Sequence, residues 1–299
     1  MYMRMLVLLD GSELAETVFK YARELSQRLH VNLDLLHVCN PQNVGLLPMC
    51  RAYIEQKAAL LQAEIDQDNS RFGESAMGEA IRTRGHVVVG YHAEEILKYI
   101  EENDIDLVLL STHGSSGIKA WDLGSVADKI VHASKVPVWL VPSELSEEVI
   151  VDKLPTRSLL LPLSGSKVSE AVIPYALSIV QRRGLGPELV VLLHVINPKG
   201  PNGEPLSEEE TNKRRRDMHE YLEGVAARVR ESGFNTRIEI LEGEPASTII
   251  KFTEEYPPQL LALTVRGHTE MSGMIFGSVA ESIIRLVKKT PMLLVRAES

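Results

Sequence analysis

The chain has 299 residues, more than a typical single domain, so its length favours two domains with material for two cores. Hydrophobic residues make up 44% and charged residues 24%, which excludes a disordered or collagen-like chain, and the net charge of −9 argues against a protein that coats nucleic acid. The two cysteines, Cys39 and Cys50, exclude a disulfide scaffold and a CxxC zinc knuckle.

Short apolar runs bounded by turn residues predict buried parallel strands at Met5–Leu9, Val31–Val38, Val87–Val89, Leu107–Leu110 and Val136–Val141. Between the first two, Leu14, Val18, Ala22, Leu25 and Leu29 recur at helical spacing and predict a helix with one face on the sheet. Further helices are expected at Tyr53–Ile65, Ala93–Glu101 and Val126–Ser134. The second half predicts strands at Leu159–Leu163, Leu189–Val195, Thr236–Leu241, Leu260–Val265 and Met292–Val295. Its helices fall at Ser169–Gln181, Glu209–Ser232, Ala246–Glu254 and Val279–Lys289. Alternation of this kind predicts an α/β fold with a parallel sheet and helices on both faces. The longest connections, Asn40–Cys50 and Asn197–Glu208, either cover a site or only join elements.

The two halves repeat one another. Met5–Leu9 with Asp10-Gly11-Ser12 returns as Leu159–Leu163 with Ser164-Gly165-Ser166. Leu36-His37-Val38 returns as Leu193-His194-Val195, and Gly90 and Ala93 as Gly243 and Ala246. Gly114 and Gly124-Ser125-Val126-Ala127 return as Gly267 and Gly277-Ser278-Val279-Ala280. The order is kept throughout, so the chain reads as a tandem duplication with a boundary near Glu144–Pro155. The copies differ in charge. Residues 1–150 hold 13 basic and 22 acidic side chains, whereas residues 151–299 hold 19 of each. The apolar start, Met1–Leu9, has only the length of a strand and is stopped by Asp10. No apolar run reaches the roughly 20 residues of a membrane span. A cytoplasmic protein without a membrane segment is therefore expected.

The chemistry-bearing residues cluster where the first and fourth strands end. Asp10-Gly11-Ser12 follows strand one. Ser111-Thr112-His113-Gly114 ends strand four, and Gly124-Ser125 follows with nine residues between Gly114 and Gly124. Glycine lets a ligand approach the backbone, and a helix start presents free N–H groups to an anion. With Ser125 read as a helix cap and phosphate donor, the strand-four loop and the helix start could wrap a polyphosphate without lysine. Neither a Walker A loop nor a GxGxxG fingerprint is present: Gly165-Ser166-Lys167 and Gly184-Leu185-Gly186 lack the required spacing. His37 and His194 are read as hydrogen-bonded histidines at strand ends, and Lys213–Arg216 as a solvated, ion-paired helix face. Cys39 and Cys50 are read as inert thiols. His113 either approaches phosphate or is a loop residue without a role. No catalytic constellation emerges from spacing.

The pattern G-x2-G-x9-G-[ST] after strand four, with Asp-Gly-Ser after strand one, resembles the universal stress protein family. The resemblance spans Met5–Val141 and Leu159–Val295. It implies a tandem member with domains at residues 1–146 and 155–299. Each would be a five-stranded parallel sheet of order 3-2-1-4-5, in the adenine nucleotide α-hydrolase-like group. Strands one and four then flank the switch point where such sheets bind ligands. In the first half the resemblance places Asp10 beside adenosine, Leu8 and Leu9 as its backbone neighbours and Val38 near adenine. Ser111, His113, Gly114, Gly124, Ser125, Val126 and Ala127 fall around the phosphates. Ser164, Val195, Thr264, Gly267, Gly277, Ser278 and Val279 take the matching places in the second half. Departures are Ser111 and Thr264 at the motif's first glycine, Ala127 where some members carry a hydroxyl, and Ser164 in place of the aspartate. The implied function is binding of ATP, ADP or AMP, with magnesium neutralising the phosphates, by a stress-response regulatory factor. A nucleotide-free interaction module of the same fold is the alternative, and a slow ATPase a third reading. The resemblance also implies pairing of the two halves through their last strands, and of two chains as a homodimer with an unidentified protein partner.

Overall fold

Residues buried on both faces of a parallel sheet must be apolar throughout, and the strands show this directly. Met5, Leu6, Val7, Leu107, Val108 and Leu109 are fully buried, as are Leu159, Leu161, Leu261, Ala262, Met292 and Leu293. The computed structural model describes residues 2–72, 80–112, 123–142, 144–150, 157–182, 189–200, 203–266 and 278–297. The chain divides into two units, Met1–Ser143 and Glu144–Ser299.

The first unit runs β1 (Arg4–Leu8), α1 (Glu13–Leu29), β2 (Asn32–Cys39), a 3-10 segment (Pro41–Leu46) and α2 (Leu47–Phe72). It continues with β3 (Thr83–Val89), α3 (His92–Glu102), β4 (Leu107–Ser111), α4 (Ser125–Ala133) and β5 (Val138–Val141). Its strands are all parallel, in the order β3-β2-β1-β4-β5. Right-handed crossovers then set α1 and α2 against one face and α3 and α4 against the other, and the contacts within each helix pair agree. The predicted face of α1 is buried at Val18, Ala22, Leu25 and Leu29; the side chain of Leu14 lies outside the described residues.

The second unit runs α5 (Glu147–Ile150), β6 (Ser158–Pro162), α6 (Lys167–Glu170), α7 (Ile173–Arg182), β7 (Leu189–Ile196) and α8 (Glu208–Glu231). Then follow β8 (Asn235–Glu242), α9 (Pro245–Glu255), β9 (Leu260–Arg266), α10 (Ser278–Leu286) and β10 (Met292–Ala297). Its order, β8-β7-β6-β9-β10, repeats that of the first unit. Among the described residues no helix is long and apolar enough to cross a membrane.

Four elements differ from the sequence expectation. The Asn40–Cys50 connection is not a loop: it is a 3-10 segment that leads into α2 at Leu47, with Asn40 Oδ1 accepting from Gln42 N. The helix expected over Ser169–Gln181 is two pieces, α6 and α7. Pro174 sits at the second residue of α7, where it has no N–H to offer residue 170, so one continuous helix would lose that bond. Strand β3 starts four residues earlier than Val87, and β5 starts only after Pro137.

Candidate functional site

At the C-terminal ends of β1 and β4 the first unit opens a cavity of about 330 Å³. Leu8, Leu9 and Asp10 line it from β1, Leu36, His37 and Val38 from β2, and Leu110, Ser111 and Thr112 from β4. His92 and Ile96 come from α3, and Gly124, Ser125, Val126 and Ala127 from the start of α4. The structure therefore brings Leu8, Leu9, Asp10, Val38, Ser111, Gly124, Ser125, Val126 and Ala127 to one cavity. His113 and Gly114 lie outside the described residues.

The strand order itself builds this crevice: β1 leads to β2 on one side, whereas its other neighbour is β4, so the crossovers diverge and leave a gap above the strand ends. Gly11, with φ +83, turns the chain out of β1 in a conformation that favours glycine. The Asp10 carboxylate caps this turn, accepting from Ser12 N at 3.0 Å and Ser12 Oγ at 2.6 Å. His37 Nδ1 lies 2.9 Å from Leu9 O; a carbonyl can only accept, so Nδ1 is the donor. His37 thus fastens the end of β1 to β2 while its ring lines the cavity, a structural and a lining role together.

The start of α4 is fixed by Gly124 N donating to Thr112 O at 3.0 Å. The helix cap is Gly124, not Ser125, which is the first helical residue; glycine brings no side chain of its own to cap the helix. The first helical bond at this end is Asp128 N to Gly124 O, at 2.8 Å. The amides of Ser125, Val126 and Ala127 precede that bond, and the three residues line the cavity, so the helix start offers backbone donors to an anion. Gly124 itself has φ −58 and ψ 142, which any L-residue adopts. Among the described residues a Cβ there would meet only Thr112 O, at 3.6 Å, an ordinary contact. Among the described residues nothing in the fold requires glycine at this position.

Leu36, His92, Ile96, Leu110 and Thr112 were not singled out by the sequence reading. His92 and Ile96 stand four apart at the start of α3 and share one helix face. The repeated Gly90–Ala93 and Gly243–Ala246 spacing marked this helix start and was the available signal.

In the second unit Gly165 again turns the chain at positive φ, and His194 Nδ1 again bonds the carbonyl at the strand end, Leu163 O, at 2.7 Å. Burial pushes the His194 pKa below the usual histidine range, which keeps the ring neutral. The crevice itself is different. Ser164 N donates to Ser169 Oγ at 3.2 Å, Ser164 Oγ lies 2.9 Å from Ser166 Oγ, and Thr264 Oγ1 donates to Ser169 O at 3.4 Å. These bonds draw α6 onto the ends of β6 and β9. Val195 is buried at the end of β7 and Val279 is half-buried in α10. Ser278 begins α10, with its side chain outside the described residues; Gly267 and Gly277 lie outside them altogether. Cys39 is buried with its thiol towards Asn43 O at 3.5 Å, and Cys50 is half-buried; both are free.

A family model described as the universal stress protein family matches residues 1–142 and 155–296. Universal stress protein Slr1230 of Synechocystis is 20% identical over 92% of this chain and 94% of its own length. Universal stress protein YxiE of Bacillus subtilis is 26% identical over 47% of this chain and 99% of its own. Among solved structures, a universal stress protein from Archaeoglobus fulgidus shares the fold with a TM-score of 0.67 and 23% identity, over 98% of both chains.

Proposed function

The chain belongs to the universal stress protein family, and on that premise we propose that its first unit binds an adenine nucleotide, as a regulatory factor whose state reports nucleotide availability. The observation that carries this is the cavity where a helix start capped by glycine faces the ends of β1 and β4. Val38, Ile96, Leu8 and Leu110 offer apolar walls for a base. Asp10 offers a carboxylate acceptor for a sugar or base donor, and the first turn of α4 offers amides for phosphate. Asp10 is the one carboxylate among the described lining residues, and its Oδ1 already serves Ser12, so magnesium would be held chiefly by the phosphates.

We read the site as one for binding rather than turnover. Binding acts by linkage: a ligand that prefers one state stabilises it and shifts the population. The Ser164–Ser169–Thr264 contacts favour a second unit that works without nucleotide, as structure or as a protein-binding surface. Homodimerisation is proposed on family grounds, and light scattering reads it. The primary test is to denature the purified protein, look for released ATP, ADP or AMP by chromatography, and titrate the stripped protein with magnesium-ATP. Released nucleotide or saturable binding supports the proposal. No release together with no binding at millimolar concentration overturns it.

A further inference from the structure

The first sheet also carries a polar cavity at its opposite end, where the strands begin. It measures about 230 Å³ and is lined by Arg4, Asn32, Asp34, Ala80, Arg82 and Arg84. The ladder explains why these side chains meet. Arg4 is in register with Asn32, and Asp34 with Arg84. Asn32 and Asp34 are two apart, as are Arg82 and Arg84, so all five project from one sheet face. That face is the α3 face, because Tyr99 of α3 donates its hydroxyl to Asp34 Oδ2 at 3.1 Å.

Three arginines line this cavity beside one buried carboxylate, Asp34, which is 3% exposed. Arg4 Nη1 donates to Asn103 O at 2.8 Å. The side chains of Arg82 and Arg84 make no hydrogen bond or ion pair among the described residues. The cluster is not part of a basic surface, since residues 1–150 carry the whole net charge of −9.

The duplication supplies an internal control. By register and repeat, Arg4 corresponds to Ser158, Asn32 to Leu189, Asp34 to Val191, Arg82 to Asn235 and Tyr99 to Phe252. The second copy thus builds the same corner with an apolar Val191 and Phe252. Its one retained arginine, Arg237, is engaged by Glu239 and lies over the Tyr256 ring at 6.0 Å. The fold does not need the polar set, and burying a carboxylate costs free energy unless something compensates it.

We propose that this corner of the first unit is a binding site for a hydrogen phosphate group, separate from the nucleotide cavity. Guanidinium forks match the oxygens of a tetrahedral oxyanion. Asp34 selects among oxyanions: a protonated phosphate oxygen donates to the carboxylate, whereas sulfate at neutral pH has no proton to give and meets it with a bare oxygen. Free phosphate keeps its proton at neutral pH and fits this chemistry; a phosphate monoester, whose second pKa is about 6, fits it in its monoanionic form.

Calorimetric titration of the full chain with inorganic phosphate, methyl phosphate and sulfate, in a buffer free of all three, tests the site. Phosphate should bind at least tenfold more tightly than sulfate, and methyl phosphate should bind more tightly as pH falls through about 6, where it gains a proton. Binding of the ester assigns the site to an esterified head group as well as the free ion. Arg82→Ala, at an exposed position, should weaken binding about tenfold or more, the effect of losing a charged hydrogen-bond donor. Asp34→Asn, which gives sulfate a donor, should erase the preference for phosphate. Gly124→Val, in the other cavity, should leave phosphate binding unchanged. Absence of phosphate binding at millimolar concentration overturns the proposal. So do equal affinity for sulfate, indifference to Arg82→Ala, or loss in Gly124→Val.

Discussion

Gly124 shows how one residue separates fold from function. Its dihedrals suit any residue and its described surroundings would accept a Cβ, so the glycine is read as serving something that arrives from the cavity. Gly124→Val should therefore weaken nucleotide binding by at least a hundredfold in calorimetry. Its urea midpoint should move little, by less than about 1 kcal/mol, because valine is only a poorer cap than glycine. A large stability loss would mean that the glycine serves the fold. His194 carries a prediction of a different kind. Its folded pKa lies below the ordinary histidine value, so the unfolded chain binds the proton more tightly. The contribution is intact above about pH 6.5 and shrinks as pH falls from there towards the folded pKa. Urea unfolding from pH 7.5 to pH 5 should show the wild type losing more stability than His194→Gln. Parallel curves would remove histidine from the cause. At this scale Asp10, Ser111 and Gly124 were legible because their residue types break an apolar pattern. The cap was not: glycine has no side chain to announce it, and the neighbouring Ser125 drew the assignment.

At the scale of elements, what could be read depended on burial. β1, β2 and β4 lie inside the first sheet; apolar runs mark β1 and β4, and β2 shows through Leu33, Leu35, Leu36 and Val38. β3 is the outer strand with a half-exposed pattern, so Thr83-Arg84-Gly85-His86 did not look like strand and only Val87–Val89 did. The beginning of α2 was hidden because Met49 and its neighbours face solvent, which leaves no helical periodicity. The break between α6 and α7 was written in Pro174, but the apolar spacing across it is nearly unbroken. The packing of α3 on β2 yields a prediction from the repeat. Tyr99→Phe alone leaves the buried Asp34 carboxylate without its donor and should cost about 1–3 kcal/mol. Burial first, and then the Asp34 charge, push the Tyr99 hydroxyl pKa up, so it stays a protonated donor at neutral pH. Adding Asp34→Val recreates the Val191–Phe252 pair of the second copy and should recover most of the loss. A double-mutant cycle by urea unfolding in phosphate-free buffer measures this. Additive losses would show that the two side chains do not act as a pair.

The whole molecule is a duplication whose copies kept the fold and diverged at both ends of the sheet. The first copy has the acid Asp10, a helix start open to its cavity and the arginine cluster. The second has Ser164, hydroxyl contacts across the corresponding crevice and an apolar Val191 in place of the buried Asp34. Repetition fixed the fold at sight, since matching turn residues in one order imply matching sheets, but repetition cannot report which copy retained a site. That depends on side-chain contacts such as Thr264 with Ser169, which join residues 95 apart and leave no local pattern. Each unit has its own core, so each should unfold as a cooperative transition of its own. A nucleotide that binds only the first unit stabilises that transition alone. At a ligand concentration 100 times Kd the gain is about 2.7 kcal/mol, or roughly 5–10 °C for a domain of this size. Scanning calorimetry with and without magnesium-ATP should move one transition and leave the other in place, and Gly124→Val should abolish the movement. If both transitions rise together in the wild type, the second copy binds as well or the units are coupled. Repeating the scan with Thr264→Val, which removes the hydroxyl contact with Ser169, separates these outcomes. A second site would respond to that change, and coupling through the first unit would not.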